Sequence, residues 1–242
     1  MKNKRTLLSI LAFLLIITGA AIALFPDIMK WWDTKITMRQ YISFAEEIQN
    51  TDDKNTNTFD IPANHSNLDL ERLYRDILQY NKNLYKNGQG ILSVDIFAQS
   101  SFNLEEYGIP DGIIGYIKAD SINMLLPIFL GSSTGNMYKG ATNMKQTSVP
   151  IGGANTNSVL AGHTGMIHKV MFDNLTQIKN DDIIIIQNYW DELKYKVTSK
   201  KIIMPYEFAD IIIQKDRDLL TLITCYPYGY SDKRYVVICE RI

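Results

Sequence analysis

Residues 219–240 read LLTLITCYPYGYSDKRYVVICE, two apolar runs rich in β-branched and aromatic residues on either side of a polar loop holding Pro227 and Gly229. That pattern predicts two strands joined as a hairpin. The first run, Leu219 to Thr224, is nearly continuous in apolar character and so predicts a strand buried on both faces. Pairing the two strands around the loop sets Cys225 and Arg234 almost opposite each other. A thiol at the rim of a buried strand is held rigidly and still reaches solvent, as a nucleophile requires. Cys239 fits neither as nucleophile nor as disulfide partner. It lies five residues beyond Arg234, roughly 16 Å along the strand at about 3.3 Å per residue, and its odd offset points it to the other face. A disulfide needs Cα atoms within about 7 Å.

Working outward, short apolar runs divided by turn residues begin near Ile109: IIGYIKA, LLPIFL, SVLAG, DIIIIQ, LKYKV and KIIM precede the hairpin. Their lengths and their Ile, Val and Tyr content predict a mainly β domain over residues 109–242, a sandwich or a barrel. In LKYKV, Leu193, Tyr195 and Val197 alternate with Lys194 and Lys196, so one face of this strand meets solvent.

Residues 27–108 read differently. Apolar positions at helical spacing in 27–50 predict a membrane-proximal helix, and the polar stretch 51–67 a loop. Leu70, Leu73, Tyr74, Ile77 and Leu78 then outline an amphipathic helix, with Ser66 or Asn67 placed to cap it and Asp69 in its first turn.

Residues 1–26 form a cytoplasmic tip and a membrane anchor. From Thr6 to Phe25 the chain carries no charge over twenty residues, about the 30 Å of a bilayer core at 1.5 Å per residue. Lys2, Lys4 and Arg5 precede the span, which puts the N-terminus in the cytoplasm and the remainder outside. The competing reading is a cleaved signal peptide with Ala21-Ile22-Ala23 as its processing site, but the apolar stretch exceeds the roughly 7 to 15 residues of a signal core. Trp31 and Trp32 suit the interfacial belt.

Charge narrows the function classes. Twenty-five basic residues against 26 acidic ones give a formal net charge of −1, with no basic excess to bind a phosphate backbone, so nucleic acid is not expected as a partner. Two cysteines and three histidines, His65, His163 and His168, lack zinc-ligand spacing, so no metal and no cofactor is expected. Gly152-Gly153 opens neither a GxGxxG nor a Gly-Lys-Ser/Thr loop and reads as turn glycine. His163, in Ala161-Gly162-His163-Thr164-Gly165, follows the strand SVLA at its exit, where a neutral imidazole can take or give a proton. Spacing alone leaves two readings open for Cys225, His163 and Arg234: a reacting trio, or a buried thiol with structural or solvated neighbours.

These residues resemble a known family. Leu222-Ile223-Thr224-Cys225, Ala161-Gly162-His163 and Arg234 are similar to the signature Cys, His and Arg segments of the sortases, membrane-anchored cysteine transpeptidases of Gram-positive bacteria, in the same order along the chain. The likeness runs from about Leu68 to Ile242. Cys225-Tyr226-Pro227-Tyr228-Gly229, with Arg234 nine residues after the Cys, most resembles class C, the pilin-polymerising branch, as do residues 114–129 and 149–165.

The resemblance implies an eight-stranded β-barrel with N-terminal helices and a lid over the site. It implies Cys225 as nucleophile, His163 as acid and base, and Arg234 as oxyanion donor. Its substrate would be an LPXTG-like sorting signal of a pilin or surface protein, cut between Thr and Gly and passed as a thioacyl intermediate to a pilin Lys amine. The alternative acceptor is a cell-wall peptide amine, as in housekeeping sortases. Class C lids carry Asp-Pro-aromatic; Asp95-Ile96-Phe97 keeps the acid and the ring and lacks the proline. A papain-like protease places Cys before His and uses Asn, the reverse of the order here. A non-catalytic β adhesin would be signalled by loss of the Cys, His or Arg, and all three are present.

Overall fold

The apolar runs become eight strands: β1 (Ile113–Ala119), β2 (Met124–Leu130), β3 (Ala141–Asn143), β4 (Thr156–Ala161), β5 (Ile183–Asn188), β6 (Glu192–Ile203), β7 (Asp218–Tyr226) and β8 (Lys233–Arg241). They close into a barrel in the order β1-β2-β3-β4-β7-β8-β6-β5. The computed structural model describes residues 2–53, 68–89, 102–209 and 211–242. Asp95 and Phe97 lie outside them, as do Ser66 and Asn67.

Most strand neighbours are antiparallel, but β4 runs parallel to β7, with Ala161 beside Ile223. Alternation along β4, β7 and β8 sends Leu160, Leu220, Leu222, Val237 and Cys239 into the barrel interior. It sends Val159, Ala161, Ile223, Val236 and Ile238 to the outer face, where Ile203, Ile211 and Phe208 cover them. These strands are therefore buried on both sides, which is why their sequences read as unbroken apolar runs. Each fully buried Ile or Leu contributes about 1.5–3 kcal/mol, so the segment around Cys225 is among the firmest in the molecule. In β6, Leu193, Tyr195 and Val197 point inward while Glu192 and Lys194 face solvent.

One expectation needs correction here. LKYKV and KIIM form the single strand β6, bulged between Val197 and Ser199 where it pairs with β8; the bulge absorbs the polar interruption that reads as a break in the sequence. β3 is only three residues long and has no apolar run to betray it.

The helices differ from expectation at their ends. The apolar span and the membrane-proximal helix form one helix, α1 (Lys2–Asp53), which continues through Pro26. A proline removes a single ladder bond, and the packing of the outer half of α1 offsets that loss. Thr37 and Phe44 are buried, and Tyr41 and Phe44 set their rings against Tyr116 at 5.5 and 5.2 Å between centroids. Over Leu7–Ile48 the helix is long and apolar enough to cross a membrane.

The second helix, α2 (Leu70–Lys86), is capped by Asp69 itself, whose carboxylate accepts the Arg72 amide at 3.1 Å. A carboxylate one residue before the first turn competes well for that role. Leu73 and Ile77 enter the barrel core, whereas Leu78 stays 44% exposed. Asn81 is buried and pairs with the backbone of Val149 through both its amide groups, at 2.9 and 3.1 Å, so α2 caps one end of the barrel with a peptide-like contact.

Candidate active site at the rim of the barrel

β7 and β8 pair so that Cys225 lies directly across from Arg234, the pairing that the nine-residue spacing predicts. Directly opposed residues of an antiparallel pair have Cα atoms about 4.5–5.5 Å apart, so the side chains share one face. Both have the parity of Ile223 and Val236, whose side chains lie on the outer face of the barrel.

His163 arrives from the other side of β7. The β4–β7 register ends with Ala161 beside Ile223 and is prolonged by two further bonds. The Gly162 amide donates to the Ile223 carbonyl at 3.2 Å, and the buried Thr224 hydroxyl donates to the Gly162 carbonyl at 2.7 Å. His163 follows one step beyond, with the parity of Ala161, whose side chain lies on the outer face. Cys225, Arg234 and the exit of β4 that leads to His163 thus lie at neighbouring strand ends on one rim of the barrel.

Local sequence explains the fit. Phe172 is completely buried and lies where a Cβ on Gly162 would come within 2.8 Å of its ring, so only glycine lets this ring close beneath the His163 backbone. The His163 carbonyl accepts the Phe172 amide at 2.9 Å, closing a loop from 163 to 172. Asp173 pins that loop by accepting the Gly165 amide at 2.7 Å. Tyr138 lies against the His163 ring, 5.6 Å between centroids. This partial burial pushes the imidazole below its ordinary pKa of about 6.5, so the neutral ring predominates at neutral pH.

Cys225 is half-buried and free. Arg234 rests its guanidinium on carbonyls of its own turn, Ser231 at 2.8 Å and Lys233 at 3.0 Å. Among the described residues no carboxylate pairs with it. Cys239, by contrast, is fully buried in the core across from Leu220, and burial pushes its thiol far up. A thiolate there has no access to a substrate.

Among the described residues no cluster of His, Cys, Asp and Glu could hold a metal ion. A cavity of about 500 Å³ opens between residues 102–112 and the short helix α3 (Thr134–Met137), lined in part by Glu105, Asp111, Ser133 and Lys139; none of the three rim residues lines it. Sequence reasoning missed Tyr138, Phe172 and Asp173. Their roles come from contacts across the fold, and no local spacing signals them.

Comparison with known proteins bears on the fold and the family. The sortase domain family matches residues 117–242. Sortase A of Bacillus anthracis is 31% identical over 125 residues, 52% of this chain and 58% of that protein, so the chain spans little more than half the length of that relative. A sortase C structure from Clostridium perfringens, with the C-terminal cell wall sorting motif, superposes with a TM-score of 0.65 at 30% identity, covering 85% of this chain and 98% of that one. Sortase C2 of Group B Streptococcus pilus island 1 gives a TM-score of 0.64 at 31% identity over 75% of this chain and 99% of that one. With the domain match covering more than half of its residues, the chain belongs to the sortase family.

Proposed function

We propose that the protein is a cysteine transpeptidase that cuts an LPXTG-like sorting signal between Thr and Gly and passes the acyl group to an amine. The observation that supports this reading is the register that sets Cys225 across from Arg234, with β4, whose exit leads to His163, running parallel to β7. Neutral His163 takes the Cys225 thiol proton, and the resulting thiolate attacks the Thr carbonyl carbon. Arg234 leaves its turn carbonyls to donate hydrogen bonds to the developing oxyanion, an interaction worth a few kcal/mol in a partly dry site. Protonated His163 gives its proton to the glycine nitrogen as the C–N bond breaks, leaving a thioester on Cys225. The acceptor amine then attacks the thioester, His163 takes its proton, and the thiolate departs. His163 thus carries a proton to the leaving amine in the first half-reaction and takes one from the acceptor amine in the second.

For the acceptor, the sortase C structural relatives favour a pilin Lys amine, and thus pilus polymerisation. The Sortase A sequence relatives favour a cell-wall peptide amine as the second reading. α1 anchors the enzyme, with Lys2, Lys4 and Arg5 on the cytoplasmic side and the barrel outside the cell. We further propose that Asp95 and Phe97, which lie outside the described residues, act as a lid toward Arg234 and Cys225. If the closed state dominates, the double variant Asp95→Ala, Phe97→Ala raises the competent fraction and speeds thiol labelling of Cys225; an unchanged labelling rate removes the lid.

The functional assay incubates the full chain with a sorting-signal peptide and either a pilin subunit or a cell-wall peptide, and maps the new amide by mass spectrometry. An isopeptide bond from the signal's Thr to a pilin Lys supports polymerisation, and one to the cell-wall peptide supports anchoring. Cleavage nowhere near the Thr-Gly bond refutes the transpeptidase reading.

A further inference from the structure

The loop that carries His163 is fastened to α1 at the outer end of the apolar stretch. The ring of His168 meets Phe25, the last residue of that stretch, edge-on at 5.9 Å between centroids. Lys169 pairs with Asp33 at 3.0 Å and Lys30 with Asp173 at 3.4 Å, two ion pairs that are each largely shielded from solvent. Asp173 is the residue that also holds the Gly165 amide, so the same carboxylate joins α1 to the backbone two residues from His163. Lys169 further donates to the Lys139 carbonyl at 3.4 Å, next to the Tyr138 ring that lies on His163.

These contacts set the height of the site above a bilayer. At 1.5 Å per residue, Lys30 and Asp33 stand about 7 and 12 Å beyond Phe25 along the axis. The headgroup layer on one side is roughly 5–7 Å thick. Tyr41 and Phe44, which hold the opposite part of the barrel through Tyr116 and Tyr189, stand about 24–28 Å beyond Phe25. The barrel therefore stands alongside α1 with the His163 loop at its lower end, level with the headgroups. At that level large apolar side chains are exposed, alongside the exposed Asp27 and His168. Ile167, adjacent to the residue that touches Phe25, is 62% exposed, and Trp31 and Trp32 on α1 are 57% and 52% exposed. Tyr228, from the Cys225 loop, lies over Gly165 and is exposed as well.

We infer that the 165–170 loop is a second membrane contact, with Ile167 seated among the lipid headgroups, so that the rim bearing His163 and Cys225 works at the bilayer surface. The inference rests on the reading of α1 as a membrane anchor. The occupant is lipid because the patch continues the apolar surface of the span itself through the Phe25–His168 contact. A second copy of the chain or a peptide would have no such continuity with Phe25. Two attachment points, the span and Ile167, fix the tilt of the barrel where a single span would leave it free.

The test uses the full chain carrying Cys225→Ala, reconstituted in phosphatidylglycerol nanodiscs containing doxyl-labelled phosphatidylcholine. A polarity-sensitive fluorophore is attached in turn at Ile167→Cys, Leu15→Cys within the span, and Glu192→Cys beside the Tyr189 turn. The inference predicts blue-shifted emission at 167, quenched by shallow doxyl labels, together with quenching at 15 by deep labels and none at 192. Quenching at 15 with water-like emission at 167 overturns the inference and keeps the anchor. A blue shift at 167 without lipid quenching means that protein covers the loop, which also overturns it. Absence of quenching at 15 refutes the anchor, and this inference with it.

Discussion

The two ends of the β7–β8 hairpin each present an arginine, and they are built in opposite ways. At the base, Arg217 grips Glu240 with two parallel bonds, Nε to Oε1 at 3.0 Å and Nη2 to Oε2 at 2.8 Å, and also reaches Gln214. Next to it Asp218, half-buried, accepts from the Gly153 amide at 2.8 Å, the Tyr195 hydroxyl at 3.0 Å and the Thr156 hydroxyl at 3.3 Å. At the rim, Arg234 holds, among the described residues, carbonyls of its own turn, beside a half-exposed thiol. A guanidinium already committed to a carboxylate has little left to offer a substrate, whereas one parked on exposed carbonyls gives them up cheaply. One end of the hairpin is fastened for stability, and the other is left able to engage a ligand.

The largest effect expected at the rim is from Cys225→Ala, which abolishes transpeptidation. Cys239→Ala keeps most of it and costs about 1 kcal/mol of stability through lost packing. Turnover with a sorting peptide and thermal melts of both variants check this; activity that follows Cys239 breaks the contrast between an open and a buried thiol.

Exchanging the arginines sharpens the comparison further. Arg234→Ala lowers kcat about 10²–10³-fold with an unchanged Tm, as loss of an oxyanion donor does, and His163→Ala lowers it about 10²–10⁴-fold. Arg217→Ala behaves in reverse: kcat is retained, while the half-exposed bidentate pair contributes about 1 kcal/mol and its loss lowers Tm by about 2–4 °C. Equal effects of Arg217→Ala and Arg234→Ala on kcat contradict the division of roles.

The smallest effect is a titration. Burial favours the neutral imidazole, so the His163 resonance titrates with a midpoint below about 6.5, and Tyr138→Ala, which uncovers the ring, moves the midpoint up. Because the folded value is depressed, the stability tied to this group is fully present above the unfolded pKa and is lost as pH falls through the folded one. A midpoint at or above the free-imidazole value means that the ring is not sheltered.

Much of this was readable from residues alone, for physical reasons. β7 and β8 announce themselves because burial on both faces leaves no polar alternation, and the hairpin's loop length fixes the pairing of Cys225 with Arg234. β3 is invisible because three residues carry no period, and β6 looks like two strands because its bulge interrupts the alternation. His163 stands at a strand exit that the sequence reveals, but its place at the rim near β7 depends on the parallel pairing of β4 with β7, segments 62 residues apart in register. No local spacing encodes that, and only the likeness to a family joined the three residues beforehand. Tyr138, Phe172 and Asp173 act through contacts that exist once the barrel has closed. The continuity of α1 through Pro26 was hidden because its compensation comes from packing on the barrel.

The central claim is that Cys225 carries the acyl group. The direct measurement is to mix the full chain with a sorting-signal peptide in the absence of an amine acceptor, quench in acid and locate the adduct by peptide mapping. The account predicts a thioester on the peptide containing Cys225, shifted by the mass of the signal up to its Thr and lost on adding an amine. An adduct on the Cys239 peptide, or peptide cleavage with Cys225 already blocked by a thiol reagent, contradicts it.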